Sequence, residues 1–236
     1  LKPWINVPGT DGVEFFDGYV LLECIGRGGM GVVFRAIETA QDRIVALKVM
    51  LPELARDDRA RDRFLREARA IVAVRHPNVI VLFAVSEAER LPYLVMEYVD
   101  GHSLATRMRD GAPADSAELR RVGSAIAGGL AACHERGVIH RDIKPSNVLL
   151  SSTDGSVKIT DFGLAAVAST PTLTHIDFLS GTPDYVAPER LKLGSQADER
   201  SDLFSLGCLL YTMATGKAPF GGDTPLITLH RLASEK

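Results

Sequence analysis

The chain has 236 residues, 46% hydrophobic and 24% charged, the balance of a globular protein able to bury a core in one large domain or two smaller lobes. A net charge of −3 without any Lys/Arg block argues against nucleic acid as a partner. Cys24, Cys133 and Cys208 are too few and too far apart for a disulfide framework or a thiolate metal site, and point to reduced thiols in the cytoplasm.

The opening residues do not read as a signal peptide. Its longest apolar run, 203–214, is broken by Ser205, Gly207 and Thr212, so no membrane contact is expected from this segment. A first residue that is not Met and a charged, helical-looking end suggest a piece of a longer protein.

Residues 1–18, rich in Pro, Gly and Asp without periodicity, read as a lead-in segment. Short runs rich in Val, Ile and Leu follow at 19–26, 31–38 and 43–50, separated by polar or Gly-rich turns, as in an antiparallel meander. A helix over 59–74 places Phe64, Ala68, Ile71 and Val72 on one face and stops at "RHPN", where Pro77 disfavours helical geometry at His76. Strands at 79–85 and 92–99 complete a five-stranded lobe, 19–99. From residue 100 the pattern turns helical. Asp115 and Glu118 form a capping box, Leu119, Val122, Ile126, Leu130 and Cys133 mark a buried face, and Gly137 ends the helix. A second buried helix runs from about Asp202 to Thr215 and stops at Gly216. The fold class is α+β: a small β lobe with one helix and a larger helical lobe, 100–236.

Gly26, Gly28 and Gly31 have G-x-G-x-x-G spacing. That spacing alone is weak, but Val32, Val33 and Phe34 continue as a strand, which places the glycines at a hairpin tip where backbone N–H groups can close over phosphates. Lys48 lies within the apolar strand "VALK", where an ammonium needs an anionic partner. Glu67 shares the inward helix face and can pair with it, leaving Lys48 aimed at phosphate.

Asp161, in "DFG", ends a short strand. Asn147 lies fourteen residues upstream, so two hard oxygen donors suit Mg2+. Asp142 and Asn147 share the loop "HRDIKPSNVLL". That arrangement lets one accept a proton from an attacking hydroxyl while the other holds metal, with Lys144 neutralising phosphoryl charge.

Together with "APE" at 187–189, these motifs occur in the order and spacing of the eukaryotic-type protein kinases, which the chain closely resembles from Tyr19 onward, in a form similar to bacterial members. The resemblance implies a two-lobed protein-kinase-like fold, ATP and Mg2+, and protein Ser/Thr acceptors, the last suggested by Lys144 and Thr182. It assigns Asp142 as catalytic base, Lys48 and Glu67 as the active-state ion pair, and Asn147 and Asp161 as metal ligands. Ile25, Gly26, Gly28 and Gly31 would cover ATP, and Val33, Ala46 and Leu149 would enclose adenine. Met96 would be the gatekeeper beside the main chain of Glu97 and Val99. Ile71, Leu82, His140 and Phe162 would stack as a spine anchored by Asp202.

Activation is expected through phosphorylation at Thr174, read by Arg141, with a transient dimer admissible for autophosphorylation. In the family Glu189 is held by a later arginine, which this sequence does not reach, so the helical lobe is expected to be incomplete. Two other readings compete: intact Lys48, Asp142, Asn147 and Asp161 argue against an ATP-binding scaffold, and the "GTPDYVAPE" segment within 161–189 speaks for a protein substrate over a small-molecule phosphotransferase.

Overall fold

A computed structural model describes residues 14–109, 111–162, 183–191 and 197–234. Their contacts sort into two compact units, Leu1–Ala73 with Val81–Val99 and Val74–Ile80 with Asp100–Lys236.

The first unit is an antiparallel sheet of β1 (Glu14–Phe16), β2 (Tyr19–Gly28), β3 (Gly31–Glu38), β4 (Arg43–Met50), β5 (Leu82–Ala88) and β6 (Leu91–Glu97), in the order β1-β2-β3-β4-β6-β5. It therefore has six strands rather than the expected five. The extra one, β1, lies in the segment read as a lead-in. Asp17 (φ 43°) and Gly18 (φ 85°) form a two-residue turn whose twist suits a hairpin, and Phe16 buries edge-on against Tyr93 at 5.2 Å.

Side chains alternate across the sheet, and β4 is buried on both faces from Val45 to Met50. Val45, Leu47 and Val49 join Phe16, Phe34, Tyr93 and Val95 in one core. On the other face the register aligns Lys48 with Val33 and Leu94, and Ala46 with Met96.

Two helices accompany the sheet, a short α1 (Pro52–Ala55) and α2 (Asp58–Val72). Asp57 caps α2 by accepting the Arg59 N–H at 2.9 Å, and Ala60, Phe64, Ala68 and Ile71 form its buried stripe. Fully burying Phe64 is worth about 2–3 kcal/mol.

The second unit contains α3 (Leu104–Arg107), α4 (Ser116–His134), α5 (Glu199–Thr215), α6 (Pro225–Ser234) and a small sheet of β7 (Gly101–Ser103), β8 (Val148–Ser151) and β9 (Val157–Ile159). Residues 79–80 of the expected fourth strand lie outside the first sheet. Val74–Ile80 instead joins the second unit, because Ile80 N–H donates to Ile159 O at 2.9 Å and Asn78 Nδ2 to Val157 O at 2.8 Å.

Asp115 caps α4 through the Glu118 N–H at 2.8 Å. Gly123 lets α4 approach α5, since a Cβ there would stand 3.0 Å from Leu210 Cδ2. Gly216, at φ 75°, ends α5 with its N–H on Thr212 O. Among the described residues no helix is long and apolar enough to cross a membrane.

Candidate active site

The second unit places Asp142, Lys144 and Asn147 together. Lys144 Nζ lies 2.8 Å from Asp142 Oδ2, and Asn147 Nδ2 donates to the same oxygen at 3.0 Å and to Asp142 O at 2.8 Å. The loop folds this way because Pro145–Asn147 forms a single 3-10 turn, closed by Asn147 N–H on Lys144 O at 2.9 Å. Asn147 is buried, and its carbonyl accepts the Thr160 N–H at 2.9 Å, tying the loop to the end of β9 next to Asp161.

With both Asn147 amide hydrogens committed to Asp142, its side-chain carbonyl oxygen is left as an acceptor, which the Ser146 hydroxyl meets at 3.2 Å. An amide oxygen here and the Asp161 carboxylate are hard donors of the type Mg2+ selects, so the residues fit that ion.

Two residues of this region hold positive φ without being glycine, Arg141 (67°) and Asp161 (57°). Each such conformation costs about 1–3 kcal/mol and persists only where its surroundings over-determine it. The Asp202 carboxylate does so for Arg141. Oδ1 accepts the Arg141 N–H at 2.7 Å, while Oδ2 takes the His140 N–H and His134 Nε2, both at 2.8 Å.

His140 is fully buried; its Nε2 meets Thr160 O at 3.0 Å and its Nδ1 accepts the Asp142 N–H at 3.3 Å. Burial lowers its pKa below the usual imidazole value. The neutral ring carrying its proton on Nε2 satisfies both contacts. It packs against Phe162 with centroids 4.5 Å apart.

In the first unit the register puts Val33, Ala46, Lys48 and Met96 on one face of the sheet, and Gly26 opposite Val33. Lys48 is 9% exposed and Met96 5%, whereas Ile25 is exposed. Glu67 is half-buried on α2, between Phe64 and Ala68. The Glu97 N–H donates to Val81 O at 3.0 Å, so its main chain can offer a ligand only the carbonyl.

The three glycines differ. A Cβ on Gly31 would stand 2.4 Å from Val49 O, while one on Gly28 would meet nothing within 4 Å. Ile71 and Leu82 are buried in this unit, and Val99 and Leu149 are half-buried, each in its own unit. Thr174 and Thr182 lie outside the described residues.

Sequence reasoning missed His134 as a partner of Asp202, although its place in the last turn of α4, six residues before His140, was a usable signal. It also missed Arg190, whose Nη1 donates to Arg141 O, and Ser201, whose hydroxyl donates to Glu189 Oε1 at 2.6 Å. Nothing in residue type or spacing marks these two.

A buried carboxylate that anchors a loop bearing Asp, Lys and Asn, and a separate sheet with a lysine on the face of a glycine-tipped hairpin, are the parts of a phosphotransferase. Residues 19–235 match the protein kinase domain family, and the chain belongs to it. Members of this family use ATP with Mg2+.

The chain is 40% identical over 214 residues to a probable serine/threonine-protein kinase PknB of Lactococcus lactis, covering 90% of this chain and 34% of that protein. It is 35% identical over 218 residues to the serine/threonine-protein kinase PrkC of Bacillus subtilis, covering 92% of this chain and 33% of that protein. The chain thus spans about a third of the length of these curated relatives. The crystal structure of a double mutant of the Mycobacterium tuberculosis PknI kinase domain superposes with TM-score 0.73 at 30% identity, over 88% of this chain and 76% of that one.

Proposed function

We propose that this chain is the catalytic domain of a serine/threonine protein kinase, with its first unit as the nucleotide-binding lobe and its second as the catalytic and substrate lobe. The observation that carries the reading is the convergence of Lys144 Nζ and Asn147 Nδ2 on one oxygen of Asp142, Oδ2. Two donors on one oxygen fix the carboxylate and direct Oδ1 toward an incoming hydroxyl. As the acceptor oxygen bonds the γ-phosphorus and the bond to the β–γ bridging oxygen breaks, Oδ1 takes the hydroxyl proton and ADP departs.

Lys144 offsets charge on the phosphoryl group in transit, and Lys48, held by Glu67, grips the α- and β-phosphates. Asn147 and Asp161 would hold Mg2+, which when bound neutralises phosphate charge. Gly26, Gly28 and Gly31, with Ile25, cover the nucleotide. Val33, Ala46 and Leu149 enclose adenine beside Met96, and the Glu97 carbonyl and Val99 N–H bond its edge. The chain acts in a reducing cytoplasm on protein substrates, and Thr174 phosphorylation, paired with Arg141, activates it.

The test is incubation of the full-length protein with γ-labelled ATP, Mg2+ and casein, followed by phosphoamino-acid analysis. Phosphoserine and phosphothreonine are expected. Label confined to tyrosine, or passing only to small alcohols, contradicts the reading. Mass spectrometry of active protein showing no phosphate over 169–180 contradicts its regulatory part.

A further inference from the structure

Arg141, which immediately precedes Asp142, is held at both ends of its own main chain. Its φ of 67° is a left-handed conformation that a side-chain-bearing residue keeps only under constraint. One constraint is the Asp202 carboxylate on its N–H, at 2.7 Å. The other comes from a different element: Arg190, in the turn Pro188–Leu191, donates Nη1 to the Arg141 carbonyl. That carbonyl and the Asp142 N–H belong to one planar peptide, so the donor that fixes the carbonyl also fixes the rotation from which Asp142 departs. The same N–H then reaches His140 Nδ1 at 3.3 Å, which completes the hold on the plane.

Arg190 has no part in the chemistry above. Its guanidinium is a half-buried cation whose pKa desolvation lowers, with the Asp142 charge the largest influence opposing that shift. The turn that carries it is itself fastened, since Glu189 beside it accepts the Ser201 hydroxyl at 2.6 Å from the first turn of α5. Arg190 and Asp202 therefore hold opposite ends of Arg141 from two elements that are tied to each other.

We propose that Arg190 is a positioning residue for phosphoryl transfer: it clamps the Arg141–Asp142 peptide and through it sets the direction of the Asp142 carboxylate. This rests on Asp142 being the proton acceptor, and the experiment separates the two claims. In the full-length kinase, Arg190→Met removes the donor and keeps an unbranched stem, whereas Arg190→Lys keeps a cationic donor. Steady-state kinetics for each are paired with thermal melting and with amide hydrogen exchange of a peptide covering 138–147.

Misplacing a catalytic group by an ångström can lower turnover about a hundredfold, so Arg190→Met is expected to lose about tenfold or more in kcat. KM for ATP and for the protein substrate should stay within about twofold, because the clamp touches neither. Exchange over 138–147 should quicken, and Arg190→Lys should recover most of the turnover.

Wild-type kcat in a folded Arg190→Met protein overturns the proposal, as does lost turnover with unchanged exchange over 138–147. Should Arg190→Met fail to fold, Arg190→Lys decides: turnover near wild type supports the clamp, and a folded protein with a tenfold loss overturns it. Wild-type activity in Asp142→Asn would sink the proton-acceptor reading alone, and the exchange measurement would still judge the clamp.

Discussion

Asp202 Oδ1 accepts the main-chain N–H of Arg141 at 2.7 Å, from a carboxylate that is fully buried. Its other oxygen serves His140 and His134, so a single side chain on α5 satisfies donors from the loop and from α4. Hydrogen bonds to charged groups contribute about 1.5–3 kcal/mol each, and orphaned buried donors add their own penalty. Asp202→Ala should therefore lower unfolding free energy by at least about 3 kcal/mol in urea titrations. A change below about 1 kcal/mol would show the loop to be held by something else.

Gly31 and Gly28 differ in what a side chain would meet. A Cβ at Gly31 would collide with the Val49 carbonyl, and relieving that means moving β3 from β4. Gly31→Ala is expected to cost about 1–3 kcal/mol. Gly28→Ala meets nothing and should leave stability within about 0.5 kcal/mol. Thermal melting of the two variants checks this, and equal melting points would contradict it.

Burial lowers the His140 pKa, so the unfolded chain binds a proton that the native ring resists. The unfolded state then holds more protons as pH falls below the ordinary imidazole value, near 6.5, and stability declines from there toward acid. From this residue the slope approaches about 1.4 kcal/mol per pH unit. Urea titrations between pH 7.5 and 5 should show the decline. His140→Gln, which cannot titrate, should lack this component, and an unchanged slope in that variant would count against it.

Burial pushes the Cys133 thiol up to about 12 and Cys208 up to about 11, while Cys24 is exposed on β2. At pH 8 the Cys133 thiolate fraction is roughly one part in ten thousand. Iodoacetamide on native protein should modify Cys24 and spare the other two, read by mass spectrometry. Rapid labelling of Cys133 would contradict its burial.

Much of the fold and site is legible in the amino-acid sequence wherever the signals are local and chemical. β3 and β4 fall where alternation and turn residues put them, and the α4 start follows from Asp115 and Glu118. What escapes depends on distant partners. β1 is only three residues long and reads as strand only once Phe16 has Tyr93 to pack on, although "DG" at 17–18 is a hairpin signal. Residues 79–80 look like strand by composition, yet pairing with β9 takes Val79 and Ile80 into the other unit. Within the candidate site, Asp142, Lys144 and Asn147 are readable from types and spacing. The donation from Arg190 to Arg141 is not, since it spans 49 residues and ends on a backbone atom that no sequence pattern encodes.

The proposed function makes Asp142 the proton acceptor in phosphoryl transfer. Single-turnover transfer from labelled ATP and Mg2+ to a protein substrate, comparing the full-length protein with its Asp142→Asn variant, tests that role. General base catalysis contributes about 100- to 10,000-fold, so the variant should bind ATP as before and transfer at least about a hundred times more slowly. Transfer at the wild-type rate by a folded Asp142→Asn protein would contradict it.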